Sequence, residues 1–84
     1  MVKSYLFIEL RGSAKADDVI AGLNALDLNA CAFANIVALA DDKLVAQLDC
    51  EEAEDGTKAI LEDISAVEGI VQTNVIAVVR PVKR

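Results

Sequence analysis

The chain has 84 residues, with 14 acidic side chains against 8 lysines and arginines, no histidine, and 55% hydrophobic residues. This length suits a single domain, and the composition is typical of a packed globular protein and not of a disordered chain. The net charge of −6 disfavours nucleic-acid binding by the chain alone, because phosphate binding requires basic residues. Without histidine, imidazole catalysis and the commonest metal ligand are excluded. No catalytic residue, metal site or cofactor is predicted.

The sequence contains no apolar run long enough for a membrane-spanning helix and no N-terminal pattern typical of a secretory signal. We therefore expect a soluble, cytoplasmic protein without membrane contacts. Its two cysteines, Cys31 and Cys50, match neither a CxxC redox motif nor a zinc-binding pattern. Because both lie in apolar segments, they are expected to be buried, unreactive thiols.

The first half of the chain predicts a strand, a helix and a second strand. Val2 to Leu10 is short, aromatic and β-branched, which is typical of a strand. After Ser13, a candidate N-cap, apolar residues recur at helical spacing, namely Val19, Ile20, Leu23 and Leu26. The uncharged stretch from Ala30 to Leu39 predicts the second strand.

The second half repeats this order. Asp41-Asp42 favours a tight turn that joins the second strand to a third around Leu44 to Leu48. Acidic residues from Asp49 to Asp55 favour the start of a second helix, because they interact well with the positive end of its dipole. Ile70 to Val79 predicts the last strand. The apolar positions of the second helix are Ile60, Leu61, Ile64 and Val67.

The two helices show that the chain contains two related halves. Their apolar positions correspond at a constant offset of 41 residues, so each half is a βαβ unit. Right-handed crossovers then place the first and third strands in the centre of the sheet. The predicted fold is α+β, a ferredoxin-like βαββαβ split fold with a four-stranded antiparallel sheet and two helices on one face. Gly69 is predicted to cap the second helix, and Pro81 suits the end of an edge strand.

Two helices cover only one face of such a sheet, so strand alternation decides which residues remain on the other. The predicted core positions are Leu6, Ile8, Leu10, Ile36, Leu44, Leu48, Val71, Val75 and Val79. The predicted open-face positions are Tyr5, Phe7, Glu9, Cys31, Phe33, Asn35, Val37, Val45, Gln47, Gln72, Asn74 and Ile76.

The predicted open face is too apolar to remain in water, which favours a homodimer. A monomer with a partly apolar open face is the alternative. The residues expected in the dimer interface are Tyr5, Phe7, Glu9, Phe33, Asn35, Gln47 and Ile76.

Each strand also contributes one polar residue to this face, namely Glu9, Asn35, Gln47 and Asn74. These side chains could orient a small polar ligand, or they could form a hydrogen-bonded dimer interior that holds only water. The sequence leaves both interpretations open. The acidic turn before Lys43 could bind a cation, but a solvated turn is favoured because cation sites need several convergent oxygens.

Two segments resemble a known family. The opening VKSYLFIEL and the closing ISAVEGIVQTNVIAVV, with Gly69 and Thr73 at matching positions, resemble the ligand-binding (RAM) domain of the Lrp/AsnC transcription regulators. The resemblance covers residues 1–84 as a single domain. It implies a dimeric α/β barrel with sheets packed face to face, higher rings built from dimers, and a small effector, often an amino acid. It also implies a role in transcription regulation beside a related full-length regulator, with no DNA-binding domain expected in this chain itself.

The resemblance implies that the effector lies between dimers, near the hairpin of the second and third strands. In the family this hairpin usually carries a glycine and an acidic-aromatic-acidic run, whereas this sequence reads ADDKL, and Val75 replaces a threonine common in the last strand. These differences predict a ligand other than the usual amino acids, or none. The residues expected at the site are Ala40, Asp41, Asp42, Lys43, Thr73 and Asn74.

Other ferredoxin-like modules share parts of the pattern. The maturation chaperones of periplasmic nitrate reductase have a similar length and a comparable LNA segment and VEG turn, and they would hold a signal peptide at the open sheet edge. ACT domains would share the regulatory role. An RNA-binding domain is disfavoured by the missing basic and aromatic motif. A dimeric barrel enzyme is disfavoured because Glu9 would be the only acid inside the barrel.

Overall fold

A computed structural model describes residues 1–80 of the chain. The predicted order of strands and helices is confirmed. The prediction for Pro81 lies outside the described residues. The elements are β1 (Val2–Leu10), α1 (Ala16–Asn24), β2 (Cys31–Ala40), β3 (Lys43–Cys50), α2 (Ala53–Ala59) with a π-helical extension (Ile60–Ile64), and β4 (Ile70–Val79).

The four strands form one antiparallel sheet in the order β2-β3-β1-β4. β1 and β3 are therefore central, as the crossover rule predicts, and β2 and β4 are the edges. With its two helices the chain has an α+β architecture that is compatible with a ferredoxin-like fold. Within residues 1–80, no helix is long and apolar enough to cross a membrane.

The hydrophobic core lies between the helices and one face of the sheet. Alternate residues of β1 and β3 are buried along the whole length of both strands. Burial of one large aliphatic side chain stabilises a fold by about 1.5 to 3 kcal/mol, so this layer contributes most of the stability. The side chains with 0% exposure are Leu6, Ile8, Leu23, Leu44, Leu48 and Ile64.

The helices begin differently from one another. Ser13 is not the N-cap of α1, because Lys15 occupies that position without a side-chain hydrogen bond. Asp17 and Asp18 in the first turn face the positive end of the helix dipole instead. In α2 the predicted acidic start is observed, and the Asp55 carboxylate accepts the backbone N–H of Glu52 at 3.1 Å.

Gly69 is not the C-cap of the second helical segment, because Ser65 occupies that position. It lies directly before β4 in a backbone conformation that needs a glycine. Its φ is +97°, and a Cβ built on it would lie 2.9 Å from the Ala14 Cβ. Its carbonyl accepts the backbone N–H of Arg11 at 2.7 Å. This hydrogen bond connects the start of β4 to the end of β1, and the missing side chain of Gly69 leaves space for the residues that precede α1.

A bulge in β2 changes which of its side chains face the helices. The register shifts between Phe33 and Asn35, so Ala34 is an extra residue. Phe33 pairs with Leu48 on the buried face, whereas Asn35 pairs with Gln47 on the opposite face. The prediction that Cys31 and Phe33 lie on the open face is therefore wrong, since strict alternation assumes a strand without an inserted residue.

β4 contains a similar irregularity. Ile76 lies between Ala77, which pairs with Tyr5, and Val75, which pairs with Leu6. Ile76 consequently has no β1 partner and is 58% exposed, and the open-face prediction for it is replaced by a bulge position.

The bulges of β4 also correct the predicted core. After the bulge at Ile76 the side chains of β4 exchange faces, so Val79 pairs with Lys3 on the open face. Val71 occupies the second register shift and is 65% exposed. The prediction that these two valines are core residues is wrong. The core prediction for Val75 is wrong as well, because Val75 pairs with Leu6 on the helix side but is 48% exposed at the sheet edge.

Cys31 and Cys50 form a disulfide, which corrects the prediction of two free thiols. The two residues face each other across β2 and β3 with a Cα–Cα distance of 4.1 Å. The adjacent hydrogen bond from the Glu51 N–H to the Ala30 carbonyl shows that this is a non-hydrogen-bonded pair, in which side chains of neighbouring strands lie closest. The bulge at Ala34 brings Cys31 to the same face as Cys50.

Candidate functional site

The open face consists of the strand side chains that point away from the helices. Register assigns it four rows that cross the sheet from β2 to β4. The rows are Ala32, Asp49, Lys3 and Val79; Asn35, Gln47, Tyr5 and Ala77; Val37, Val45, Phe7 and Asn74; and Ala40, Lys43, Glu9 and Gln72. The predicted placement of Tyr5, Phe7, Glu9, Asn35 and Gln47 on this face is confirmed.

Charge is distributed in a simple pattern over the open face. Each end row contains one acid beside one base, Asp49 beside Lys3 and Glu9 beside Lys43. The two middle rows carry the aromatic rings and valines, with Asn35 and Asn74 on the edge strands and Gln47 on the central strand β3. The centre is thus largely apolar, and each end is neutral in sum.

Two hydrogen bonds connect polar side chains along the strands of this face. The Gln47 amide donates to the Asp49 carboxylate at 2.9 Å, and the Gln72 amide donates to the Asn74 carbonyl oxygen at 3.1 Å. These amides retain further donors and acceptors. The amide side chains of the open face can therefore form additional hydrogen bonds to a partner or to a ligand.

The β2–β3 hairpin lies beside the end of β1. The Asp42 carbonyl accepts the backbone N–H of Leu10 at 2.8 Å, which holds the turn against the sheet. The Lys43 ammonium lies 3.1 Å from the Asp42 carboxylate, but both side chains are exposed and such pairs contribute little. The hairpin thus presents acidic side chains at the sheet end where β1 also terminates.

The residues of the expected effector site do not converge on one point. Thr73 pairs with Ile8 on the helix side, where its buried hydroxyl has no hydrogen-bond partner among the described residues. Asn74 pairs with Phe7 on the open face. Because β1 separates β4 from β3, these two residues are about 10 Å from the strand that carries Lys43. The hairpin and β4 therefore belong to separate parts of the surface.

A groove of about 480 Å³ lies between the start of α1 and the end of β2. Residues 14–17 and 38–41 line it, so it includes Ala40 and Asp41 of the expected site. Lys15 and Asp17 also line it and were missed by the sequence analysis. The sequence contained one relevant signal, because β1 ends beside the hairpin and the connection to α1 must begin there. One ammonium and two carboxylates around an alanine-rich floor can hold a small molecule that carries both charges.

A scan against protein-family models found no match, and searches of curated proteins and of solved structures found no significant similarity.

Proposed function

We propose that the chain is a non-enzymatic module that forms a homodimer through its open sheet face and binds a small molecule beside the hairpin. This role is similar to that of the RAM domains of Lrp/AsnC regulators. The observation that carries the proposal is the open face itself, which has an apolar centre and remains uncovered by the helices. Two copies packed face to face would give the dimeric α/β barrel that the resemblance to the RAM domain implies.

The open face is large enough for a dimer interface. Four rows over four strands span on the order of 500 Å² of flat area per copy. Side-chain relief brings this area close to the roughly 800 Å² per partner of a standard interface. Burial of Tyr5 and Phe7 contributes about 1.5 to 3 kcal/mol each before association costs.

The charges of the open face suit a second copy as its partner. A two-fold axis brings the same surface of both copies together, so each side chain must tolerate its own neighbours. Each end row carries both signs, and Lys43 of one copy can therefore meet Glu9 of the other. A face with a single sign of charge would repel its own copy.

Tyr5 supplies a direct test of this face. It is the only tyrosine and the chain has no tryptophan, so it dominates the intrinsic fluorescence. We expect the acrylamide quenching constant of Tyr5 to fall at least about twofold as the protein is concentrated through its dimerisation range, because the partner covers the ring. A quenching constant that is unchanged while the protein dimerises would show that the dimer uses another surface.

We further propose that the effector occupies the groove beside the hairpin, with Asp41 and Lys15 as its charged contacts. The test is a thermal-shift screen of amino acids and other small zwitterions. A ligand at a hundred times its dissociation constant stabilises the native state by about 2.7 kcal/mol. We expect Asp41→Ala and Lys15→Ala to abolish the stabilisation.

Asp42→Ala is the matched control for this screen, because Asp42 pairs with Lys43 and does not line the groove. It should respond to the same ligand as the unmodified chain. Stabilisation that persists in Asp41→Ala and Lys15→Ala would exclude the groove. A screen without any stabilising compound would leave assembly as the function of the module.

We also propose that several dimers assemble into a ring and that the chain associates with a full-length regulator. Both parts of the proposal rest on the resemblance to the RAM domain. In such an assembly this chain would act without binding DNA itself.

A second candidate function is that of a chaperone that binds a peptide at its sheet edge, and β4 favours it. This strand lies at the sheet edge, carries no charge from Ile70 to Val79, and exposes Val75, Ile76 and Val78 by about half. An exposed apolar edge can accept a peptide as an additional strand. A chaperone of this type would be monomeric until a peptide is added, which distinguishes it from the dimeric module.

The predicted cytoplasmic location is a separate proposal, and the disulfide weighs against it. Disulfides persist mainly in oxidising compartments and are rare in the cytosol. Trapping free thiols by alkylation in intact cells would give the oxidised fraction of Cys31 and Cys50, and a fully oxidised pair would contradict the cytoplasmic location.

A further inference from the structure

The two residues of the Cys31–Cys50 disulfide differ in their exposure to solvent. Cys50 is 2% exposed and lies beneath α2, where a Cβ built on Gly56 would be 3.5 Å from its Sγ. Cys31 is only partly buried and lines two surface cavities of about 120 and 280 Å³. A thiol that approaches from solvent therefore reaches the disulfide from the side of Cys31.

The smaller of these cavities has an acidic rim. Its lining includes the carboxylates of Asp27, Asp55 and Asp63 and a single ammonium group, that of Lys58. In water, one carboxylate about 6 Å away raises the local concentration of a singly charged cation about threefold and lowers that of an anion by the same factor. The rim therefore attracts cationic thiols and repels anionic ones.

We propose that this disulfide is a thiol-exchange site entered at Cys31, and that its co-reactant is a thiol or dithiol with positive charge beside the reactive sulfur. The incoming thiolate attacks the Cys31 Sγ, and a mixed disulfide forms as the bond to the Cys50 Sγ breaks. The Cys50 thiolate takes a proton from water. A second thiolate then attacks the sulfur of the bound reductant, which releases Cys31 and forms the oxidised reductant. Two thiols are oxidised to one disulfide while two protein thiols are formed.

Thiol exchange at this disulfide removes the covalent link between β2 and β3. The disulfide and the hairpin turn together close a covalent ring through residues 31–50, which contains the bulge at Ala34. β2 is an edge strand whose side chains are mostly exposed. Once the ring is open, only pairing with β3 and partial packing keep Asn35 and Val37 in their register on the open face.

Small thiols of different charge test the proposal on the oxidised full chain. The probes are cysteamine (cationic), mercaptoethanol (neutral) and mercaptoethanesulfonate (anionic), with rates expressed per thiolate and corrected for the dependence of thiolate nucleophilicity on thiol pKa. At low salt, cysteamine should react about tenfold or more faster than mercaptoethanesulfonate. In about 1 M salt, where screening acts within about 3 Å, the ratio should fall below about twofold. Quenching with acid and mapping the adduct should place the first mixed disulfide on Cys31.

Charge-neutralising variants locate the effect. Asp27→Asn combined with Asp63→Asn changes two exposed side chains and should reduce the low-salt ratio at least about threefold. Glu68→Gln removes an acid that lines a different cavity, beside the end of β1, and should leave the ratio unchanged. Equal rates for the three thiols, an adduct on Cys50, or an equal response of the two sets of variants would overturn the proposal. The rate comparison and the adduct mapping use the unmodified chain, so equal rates or an adduct on Cys50 would overturn the proposal even if a variant folds poorly.

Discussion

Phe7→Lys is expected to raise the dissociation constant of the dimer at least about a hundredfold, which corresponds to about 2.7 kcal/mol. Phe7 lies in a middle row of the open face, on a central strand, between Val45 and Asn74. A two-fold dimer contains the residue twice, and each copy loses about 1.5 to 3 kcal/mol of apolar burial. The ammonium group adds a desolvation cost in the interface. Sedimentation velocity over a concentration series measures the effect.

Val75→Lys is the matched control for this substitution. Val75 is an exposed apolar residue of the same sheet, but it pairs with Leu6 on the helix side. We expect this variant to dimerise like the unmodified chain. Equal dimerisation of both variants, or a loss confined to Val75→Lys, would contradict an interface on the open face. Far-ultraviolet circular dichroism of the monomeric Phe7→Lys chain shows whether it retains its fold.

Reduction of the Cys31–Cys50 disulfide is expected to lower the free energy of unfolding by about 3 kcal/mol. The bridge joins residues separated by 19 positions, and its loss releases the loop entropy of the unfolded chain. For a domain of this size that amount is a large fraction of the total stability. Urea unfolding with and without a non-thiol phosphine reductant, at one protein concentration, gives the difference.

The Cys31→Ala/Cys50→Ala variant separates the covalent effect from any other action of the reductant. Its unfolding midpoint should be the same in both conditions and close to that of the reduced chain, apart from a small packing change. A difference below about 1 kcal/mol between the oxidised and reduced chain would show that the ring contributes little to stability.

The central strands were predictable from the sequence because they are regular. Alternation in β1 and β3 follows burial at every position, and the helix spacing places Val19, Leu23 and Ile64 in the core. The prediction for Leu61 is wrong, since this residue is 72% exposed. Antiparallel order then follows from crossover handedness. Regular strands and amphipathic helices give periodic signals, and these signals are enough for the order of the sheet.

The edge strands were less predictable because each contains inserted residues. Nothing in the sequence of β2 distinguishes Ala34 from the other alanines, yet it determines the face of Phe33 and of Cys31. The disulfide was missed for the same reason, since a strand without the bulge places Cys31 on the open face. A periodic pattern specifies a face only as long as the register is unbroken.

Only the hairpin side of the groove could be predicted from the sequence. Asp41 and Ala40 were expected at a binding site from the resemblance, whereas Lys15 and Asp17 come from the start of α1. Their position depends on where that helix begins, and helix ends are poorly specified when a cap is lacking. Thr73 was expected beside the hairpin but faces the helices, because side chains alternate along β4 between its two bulges.

Sedimentation equilibrium of the unmodified, oxidised chain measures whether the open face forms a dimer. We expect a mass of twice 8.9 kDa or a multiple of that dimer at micromolar concentration, with reversible dissociation on dilution. A chain that stays at 8.9 kDa throughout this range would contradict dimerisation through the open face.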